Sequence, residues 1–243
     1  MARRRLSLRR LEDEVARRFP EITDPPAEIA SGRIAVDGRV AANPATRIRA
    51  DASVSRRVDV RLRGEAKLRA ALAAFSINVA GRVALDCGAA AGGFTRVLLD
   101  AGARRVYAVD AGFGQLRGSL RADPRVVTIE RTNIARLDAR RVPEPIDVVT
   151  LDLSYLAIAV AAPQLGGVRF AADADLVALV KPMYELGLEH LPRRRADRRR
   201  AVAAAQDGVR SAGWIPLGSI RSPVPGSRGA VEHVIHASRA SII

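Results

Sequence analysis

Cysteine, lysine and aromatic residues are scarce in this sequence of 243 residues. A single cysteine excludes an internal disulfide framework and a zinc site built from several cysteines. Aromatic residues make up 4%, so small and branched aliphatic residues must fill the core, and a hydrophobic content of 48% suffices for that. No apolar run approaches the roughly 18 residues of a membrane-spanning helix. The basic start MARRRLSLRR has no apolar segment behind it, so we expect no signal peptide and a cytoplasmic location.

Positive charge is abundant, and it is almost all arginine. The chain has 40 basic and 26 acidic residues, a net charge of +14 and an estimated isoelectric point of about 11.4. Such a balance favours a polyanionic partner, nucleic acid before membrane. Only two basic residues are lysines, Lys67 and Lys181. Because lysine can lose its proton where arginine keeps it, these two are candidates for positions that arginine cannot fill; the alternative is compositional drift.

The pattern of residues predicts two domains, 1–60 and 61–243. In the first, the apolar residues from Leu8 to Phe19 have helical spacing, and RIAVDGRVAAN reads as two strands around Asp37-Gly38. The stretch from 49 to 64 reads as a connector. This small helix and hairpin unit contains nine arginines in its first 40 residues.

From Gly64 onward, helical patterns alternate with short apolar strands. The strands are RVALDCG, RVYAVD, RVVTIE, IDVVTLDL and ADLVALVKP, and the helices are GEAKLRAALAAF, FTRVLLDAG, YLAIAVAAPQL and the Arg-rich segment that ends at Gly213. The chain closes with two strands, WIPLGSIRS and GAVEHVIHAS, around a short turn. This order predicts an α/β fold with a mostly parallel sheet, covered on both faces, and an antiparallel hairpin at one edge.

The first strand of this domain ends in a loop of small residues that suits a cofactor. Asp86 is followed by Gly88, Gly92, Gly93 and Phe94, and glycines let a ligand approach the backbone closely. The second strand ends in Asp110, an acidic residue placed to bind ribose hydroxyls. The loop lacks G-x-G-x-x-G and is acidic, which suits a pyrophosphate poorly. S-adenosylmethionine, a sulfonium cation without phosphate, fits better.

Further polar residues stand at other strand ends or near them. Asp152 ends one strand, Lys181 ends another, Glu232 lies inside the terminal strand, and Lys67 lies on the helix before the first strand. Each has a structural alternative: a helix N-cap for Asp152, an exposed edge-strand residue for Glu232 and an exposed helical position for Lys67. Singly, each alternative is favoured over catalysis; the joint pattern is what points to a site.

Several of these segments together resemble one enzyme family. The run ALDCGAAAGGFTRVLLDAGARRVYAVDAGFGQL, followed by ERTN, LDLSYL, ALVKPMYE and SPVPGSRGAVEH, is similar to the TlyA family, which is related to the FtsJ-type RNA ribose methyltransferases and was historically labelled as haemolysins. The resemblance covers nearly the whole chain. It implies a Rossmann-like S-adenosylmethionine-dependent methyltransferase domain, preceded by a small αL-type RNA-binding domain, and rRNA as the acceptor.

The resemblance also implies roles for individual residues. The family's catalytic set of Lys, Asp, Lys and Glu falls on Lys67, Asp152, Lys181 and Glu232, and Asn133 of ERTN joins the cofactor-binding residues. Lys181 is then expected to act as the general base on a ribose 2′-hydroxyl, oriented by Asp152. Lys67 is expected close to Lys181 and positioned by Glu232. No metal is implied, since His233 and His236 are three apart on a strand and so face opposite ways.

The chain departs from the family pattern in places that concern RNA docking. Glu65 and Ala230 replace a glycine and an asparagine, PPAEIAS replaces the usual N-terminal pattern, and a Gly-rich segment gives way to LPRRRADRRR. That run is either a solvated helix start or an edge that contacts phosphates. The alternatives to the enzyme are a catalytically degenerate RNA-binding relative, a nicotinamide-dependent enzyme, which the missing G-x-G-x-x-G disfavours, and a membrane-active haemolysin.

Overall fold

The structure, a computed structural model, describes residues 8–30, 32–41, 43–56 and 63–239. The chain divides into two units, Met1–Val60 and Arg61–Ile243. The basic start at 1–7 and positions 57–62 of the predicted connector lie outside the described residues.

The described residues of the N-terminal unit form two short helices and two small antiparallel sheets. Its elements are β1 (Leu8–Arg10), α1 (Leu11–Arg18), α2 (Pro25–Ala30), β2 (Ile34–Val36), β3 (Arg39–Ala41), β4 (Arg47–Arg49) and β5 (Val54–Arg56). Strand β1 pairs with β4, and β2 lies between β3 and β5. Leu11, Val15, Ile29 and Ile34 are fully buried and form the centre of a small core, which explains the helical spacing of Leu11 and Val15.

The hairpin prediction for this unit is confirmed, and two others are wrong. Asp37 and Gly38 both have positive φ, 48° and 78°, as the tight turn between β2 and β3 requires. Helix α1 begins at Leu11, because Leu8 belongs to a strand that pairs with β4 and leaves its side chain 52% exposed. The segment read as a connector contains β5, whose pairing with β2 is a long-range contact that local pattern does not reveal.

Several arginines of the N-terminal unit are engaged by buried glutamates. Glu14 is 1% exposed and accepts hydrogen bonds from Arg9, Arg17 and Arg18. The hydrogen bond from Arg17 is the largest of the effects that lower the pKa of Glu14 to about 2. Arg33 and Arg56 meet a second buried carboxylate, that of Glu28.

The C-terminal unit contains a seven-stranded sheet among its described residues. Its elements are α3 (Arg63–Ala74), β6 (Val83–Cys87), α4 (Gly93–Asp100), β7 (Arg105–Val109), α5 (Gly118–Arg121), β8 (Val126–Ile129), β9 (Ile146–Leu151), α6 (Ile158–Ala161), β10 (Phe170–Val180), α7 (Pro182–Glu185), α8 (Arg195–Ser211), β11 (Trp214–Arg221) and β12 (His233–Arg239). The sheet order is β11-β12-β10-β9-β6-β7-β8. Strands β6 to β10 are parallel, and β12 is antiparallel to both of its neighbours. The predicted α/β fold, with a mostly parallel sheet and an antiparallel hairpin at one edge, is confirmed.

Apolar side chains cover both faces of this sheet. Leu85, Val149 and Ile235 lie in one buried cluster, and Ala84, Val148 and Val234 lie in the other. Because successive residues of a strand point to opposite faces, a strand covered on both sides must be apolar throughout, and all five residues of β6 are buried.

The strand order reverses at β6, and this reversal positions the site. The chain runs from β6 outward to β7 and β8, then returns to the other side of β6 with β9 and β10. In open α/β sheets, ligands bind beyond the carboxyl ends of the strands at such a switch point. Asp152 and Lys181 follow β9 and β10 directly, so both lie at the carboxyl ends of these parallel strands.

Candidate active site

A cavity of about 580 Å³ lies beyond the carboxyl ends of the central strands. Its wall contains residues 88 and 90 after β6, 109–112 at and after the end of β7, 152–155 after β9 and 181–184 after β10. Helix α3, the loop before β12 and the residues Gln115, Thr132, Ile134, Leu191 and Pro192 also belong to the wall. The cavity lies wholly within the C-terminal unit, at the switch point of the sheet.

Lys181 and Asp152 form an ion pair on this wall. Lys181 Nζ lies 2.7 Å from Asp152 Oδ1 and donates a hydrogen bond of 2.8 Å to the carbonyl oxygen of Leu153. Two of the three N–H groups of an ammonium are thus occupied. The N-cap alternative for Asp152 is wrong, since α6 begins only at Ile158 and its cap residue is Ala157.

Lys67 and Glu232 form a second, deeply buried pair. Lys67 Nζ lies 2.6 Å from Glu232 Oε2, and the two residues are 6% and 3% exposed. Both structural alternatives are therefore wrong: Lys67 is no exposed helical residue, and Glu232 is no exposed strand residue. Glu232 directly precedes β12 instead of lying within it, and a Cβ at Gly226 would overlap its Oε1. The chain thus needs glycine at 226 to let the carboxylate in.

The four residues predicted as a catalytic set all line the one cavity. They come from α3, from the loops after β9 and β10, and from the loop before β12. Each lysine meets one carboxylate of the set. The arrangement therefore presents two lysine–carboxylate pairs to a single bound substrate.

Asp110 organises the loops that follow β6 and β7 at the wall. Its Oδ2 accepts a hydrogen bond of 2.8 Å from Ala90 N, and its Oδ1 accepts one of 2.6 Å from Gly112 N. Gly88 lines the cavity with φ +88°, and a Cβ there would lie 2.5 Å from the carbonyl oxygen of Asp152. Gly88 and Asp110, both predicted as cofactor-binding residues, are thus part of the wall.

Asp86 is not part of the wall, although it was predicted with the cofactor-binding residues. It is fully buried, and its two oxygens accept hydrogen bonds from the hydroxyls of Thr95 (2.6 Å) and Thr150 (2.9 Å). Burial raises the pKa of Asp86 to about 6, the threonine hydrogen bonds oppose that rise, and the charge of Asp152 adds to it. The carboxyl group therefore ties β6 to α4 and β9 from behind the cavity.

Four more of the predicted cofactor-binding residues also lie behind or beside the wall. Gly92 has φ +91° where α4 begins, and a Cβ there would overlap Leu120. Gly93 is buried as the first residue of α4, and Phe94 is 4% exposed in the core. Asn133 is exposed and caps a short 3₁₀ turn, accepting a hydrogen bond from Ala135 N. These positions give them a part in shaping the loops.

The wall suits S-adenosylmethionine better than a phosphate-bearing cofactor. The loops after β6 and β7 contribute glycine, alanine, glutamine and the carboxylate of Asp110 to it, and no basic side chain. A carboxylate beside small residues accepts hydrogen bonds from ribose hydroxyls and tolerates a cationic sulfonium. A pyrophosphate would instead need N–H donors and cations.

Glu185 is a residue whose role sequence reasoning missed. It ends α7, and its Oε1 accepts a hydrogen bond of 2.6 Å from Ile158 N at the start of α6. It therefore connects the segment that follows Lys181 to the segment that follows Asp152. Its position in KPMYE was visible in the sequence, but the partner is 27 residues away and no local signal indicates it.

Comparison with known proteins shows which enzyme family the sequence matches. Residues 60–238 match the FtsJ-like methyltransferase family. The chain is 42% identical to the 16S/23S rRNA (cytidine-2′-O)-methyltransferase TlyA of Mycobacterium tuberculosis, over 85% of this chain and 80% of that protein.

Solved structures agree with this. A protein described as a hemolysin from Streptococcus thermophilus is 25% identical, with a TM-score of 0.71 over 97% of this chain and 90% of that one. An S-adenosylmethionine-dependent methyltransferase from Mesorhizobium loti, 16% identical, shares the fold at a TM-score of 0.51 over 70% of this chain and 96% of that one.

Two further features bear on the alternatives. Within the part of the chain that the structure describes, no helix combines the length and apolar character needed to cross a membrane. The same residues contain no group of three or more His, Cys, Asp or Glu side chains able to hold a metal ion. His233 and His236 have different neighbours, since His236 Nε2 pairs with Asp175 at 2.7 Å.

With its sheet, its cavity and its sequence, the chain belongs to the FtsJ-like methyltransferase family and, within it, is related to the TlyA rRNA 2′-O-methyltransferases.

Proposed function

We propose that this protein transfers a methyl group from S-adenosylmethionine to a ribose 2′-hydroxyl of ribosomal RNA. The observation that carries the proposal is the pair of lysine–carboxylate contacts, Lys181 with Asp152 and Lys67 with Glu232, on one cavity wall. The relative from Mycobacterium tuberculosis, named for cytidine methylation in 16S and 23S rRNA, makes a cytidine of rRNA the first acceptor to test.

Lys181 is the proposed general base. When bound, S-adenosylmethionine supplies an electrophilic methyl group on a positively charged sulfur. Once its ammonium group has lost a proton to water, Lys181 Nζ would accept the proton of the 2′-hydroxyl, and that oxygen would take the methyl group while the sulfur keeps the electron pair of the broken bond. Asp152 Oδ1 and the carbonyl of Leu153 already hold Nζ, and they stabilise the ammonium ion that results. The proton then passes to water.

Lys67 and Glu232 act as a fixed pair beside the acceptor. Their contact is almost wholly buried, so the charge of each is balanced by the other. A rigid wall at this point helps to hold the hydroxyl in line with the methyl group, and such alignment supplies much of the rate in a transfer between two bound molecules.

Other parts of the proposal concern the cofactor and the RNA. Gly88 and Asp110 would contact the adenosine portion of S-adenosylmethionine, with Asp86, Gly92, Gly93, Phe94 and Asn133 shaping the loops that hold it. Residues 1–60 would serve as the small RNA-binding domain and 61–243 as the methyltransferase domain. An enzyme that acts on rRNA would work in the cytoplasm.

The alternative of a degenerate RNA-binding relative is weakened by the intact site. Of the departures noted in the sequence, Ala230 lines the cavity, and it is small and carries no charge. Glu65 belongs to α3, and the Arg-rich segment begins after the wall residues Leu191 and Pro192. None of these departures removes a lysine or a carboxylate of the two pairs.

A methyl-transfer assay tests the proposal directly. Purified protein and methyl-labelled S-adenosylmethionine are incubated with total rRNA and with ribosomal subunits, and Lys181→Arg is the matched variant because it keeps the positive charge but not the ability to release a proton. Calorimetry measures cofactor binding in both proteins. We expect label in RNA with the wild type and none with Lys181→Arg, with equal cofactor affinity. Resistance of the labelled linkage to alkali would locate the methyl group on a 2′-oxygen.

Each other outcome has a definite meaning. A fully active Lys181→Arg protein would overturn the general-base assignment. Cofactor binding without label in any RNA would show a different acceptor. Absence of both label and cofactor binding would favour the degenerate RNA-binding relative.

A further inference from the structure

The segment after the cavity wall carries an unusual density of exposed positive charge. Leu191 and Pro192 line the cavity, and the next eight residues, 193–200, contain six arginines and one acidic residue, Asp197. Arg193, Arg194 and Arg195 are exposed at the start of α8. Arg193, Arg194 and Arg195 therefore follow the wall residue Pro192 directly in the chain.

These arginines lack the carboxylate partners that neutralise many others. Arg82, Arg104 and Arg121 each meet a carboxylate at 2.6 Å. In contrast, no carboxylate of the residues that the structure describes lies within ion-pair distance of Arg193, Arg194 or Arg195. Their charge is therefore available to a partner.

Helix α8 packs against β11 and β12, the strands that hold Arg221 and His233. His233 pairs in register with Arg221 on β11 and with Val180 on β10, the residue before Lys181. Burial lowers the pKa of His233, and the guanidinium groups of Arg198 and Arg221 lower it further. Nδ1 of His233 is buried from solvent and has no hydrogen-bond partner among the described residues.

We infer that Arg193, Arg194, Arg195, Arg198, Arg221 and His233, here called the α8 basic surface, bind phosphate groups of the acceptor RNA beside the methylated nucleotide. The inference rests on the proposed function and extends it, because it says how the RNA reaches Lys181. A ribose whose 2′-hydroxyl is methylated carries a phosphate on its neighbouring 3′-oxygen, so the RNA backbone must pass close to Lys181. The strand ends that hold Lys181 and His233 adjoin each other, and the surface begins there.

The chemistry of this surface favours phosphate over other ligands. Five of its six side chains are cationic guanidinium groups, which match the oxygens of a phosphate in pairs. The surface contains no Phe, Tyr or Trp, so it is built for charge-assisted hydrogen bonds with phosphates more than for stacking on bases. An acidic protein surface is the competing partner, and the test below separates the two.

The experiment compares two triple variants that lose the same charge. The test variant is Arg193→Gln/Arg194→Gln/Arg195→Gln. The control is Arg140→Gln/Arg141→Gln/Arg210→Gln, because Arg140 and Arg141 precede β9 and Arg210 precedes β11, so that these residues lie on the amino-terminal side of strands and not beyond their carboxyl ends. Binding of rRNA fragments is measured by fluorescence anisotropy from low to high salt, and methyl transfer is measured under the same conditions.

We expect the test variant alone to lose RNA affinity, by about tenfold at physiological salt, and to raise KM with little change in kcat. Each lost phosphate contact reduces the slope of log affinity against log salt by about 0.7 for single-stranded RNA, so three lost contacts reduce it by about 2. Equal losses in both triple variants, or an unchanged slope in the test variant, would overturn the inference. Retained RNA binding, with loss only of a ribosomal-subunit interaction, would indicate an acidic protein partner instead and would also overturn it.

A spectroscopic readout tests the role of His233 without requiring turnover. The chain has three histidines, so a His233→Gln variant assigns the His233 imidazole signal. A phosphate at the surface should raise the pKa of His233, whereas the imidazole signal of His236, which is held by Asp175 three residues further along β12, should not change. No change at His233 in the presence of bound RNA would contradict the inference.

The two proposals can fail separately. A wild type that binds RNA with the expected slope but transfers no methyl group would remove the proposed function and leave the surface. A wild type that methylates rRNA with unaltered KM in the test variant would leave the function and remove the surface.

Discussion

The buried pair of Lys67 and Glu232 allows a structural and a catalytic role to be measured apart. The perturbation is a double-mutant cycle made of Lys67→Met, Glu232→Leu and the combination of both. Each single variant leaves the other charge buried without its partner, 2.6 Å away in the wild type. Breaking a buried ion pair in this way costs about 3–5 kcal/mol of unfolding free energy, whereas replacing both partners with apolar residues is often neutral.

The double variant should therefore be more stable than either single one. A stability of about 5–15 kcal/mol is typical of proteins, so each single change would remove a large share of it. Arg69 on the same helix is the matched control, because its ion pair with Asp100 is exposed and Arg69→Met should cost about 0–1 kcal/mol. Urea unfolding followed by the fluorescence of Trp214, the only tryptophan and a buried residue, reports on the C-terminal unit.

Methyl transfer then separates the roles. The double variant should fold and still fail to methylate RNA, because the pair lines the cavity. The reasoning would be refuted if the cost of the double variant equalled the sum of the single ones, since the two charges would then not be coupled. A double variant with full activity would instead restrict the pair to a structural role.

Three further predictions concern residues around the cavity. The pKa of Asp86 is higher in the folded protein than in the unfolded chain, so between about pH 4 and 6 the folded protein keeps a proton that the unfolded chain releases. The unfolding free energy therefore falls by about 3 kcal/mol as the pH rises through this range. Asp86→Asn should flatten this part of the stability profile relative to wild type. Gly88→Ala should weaken cofactor binding and lower the unfolding free energy by about 1–3 kcal/mol, since its Cβ would lie 2.5 Å from the carbonyl oxygen of Asp152. Gly118→Ala is the control: the position has open space around it, so the unfolding free energy should not change. Glu185→Ala should lower stability by about 1–2 kcal/mol in urea unfolding by removing the acceptor at the start of α6, and Glu185→Gln, whose amide oxygen still accepts, should not.

The sheet of the C-terminal unit could be predicted because its strands are apolar on both faces. VALDC and IDVVTL leave little choice of structure when helices separate them. The edge hairpin could also be predicted, because the two final strands follow each other with no α-helix between them. The N-terminal unit was harder, since its strands are three residues long and take their pairing from distant partners.

The two lysine pairs show the limit of reasoning from local pattern. Lys67 and Glu232 are 165 residues apart, and neither segment by itself indicates burial. From the residues alone, each was better described as exposed, and only the resemblance to a family brought them together. Asp86 shows the opposite error: its place at a strand end suggested contact with a ligand, but its side chain points between β6, α4 and β9, where two threonines bind it.

The two lysines of this arginine-rich chain are retained for different physical reasons. Lys181 is partly exposed on the cavity wall, with a side chain 16% accessible, and a guanidinium would fit there but could not release a proton. Lys67 is almost wholly buried against one carboxylate, so the five N–H donors of an arginine would find too few acceptors and too little space. Arginine should therefore remove turnover at position 181 in a normally folded protein, and destabilise the fold at position 67. If Lys67→Arg folded as well as the wild type and lost only turnover, burial would not explain the lysine there, and Lys67 would have to share the proton transfer.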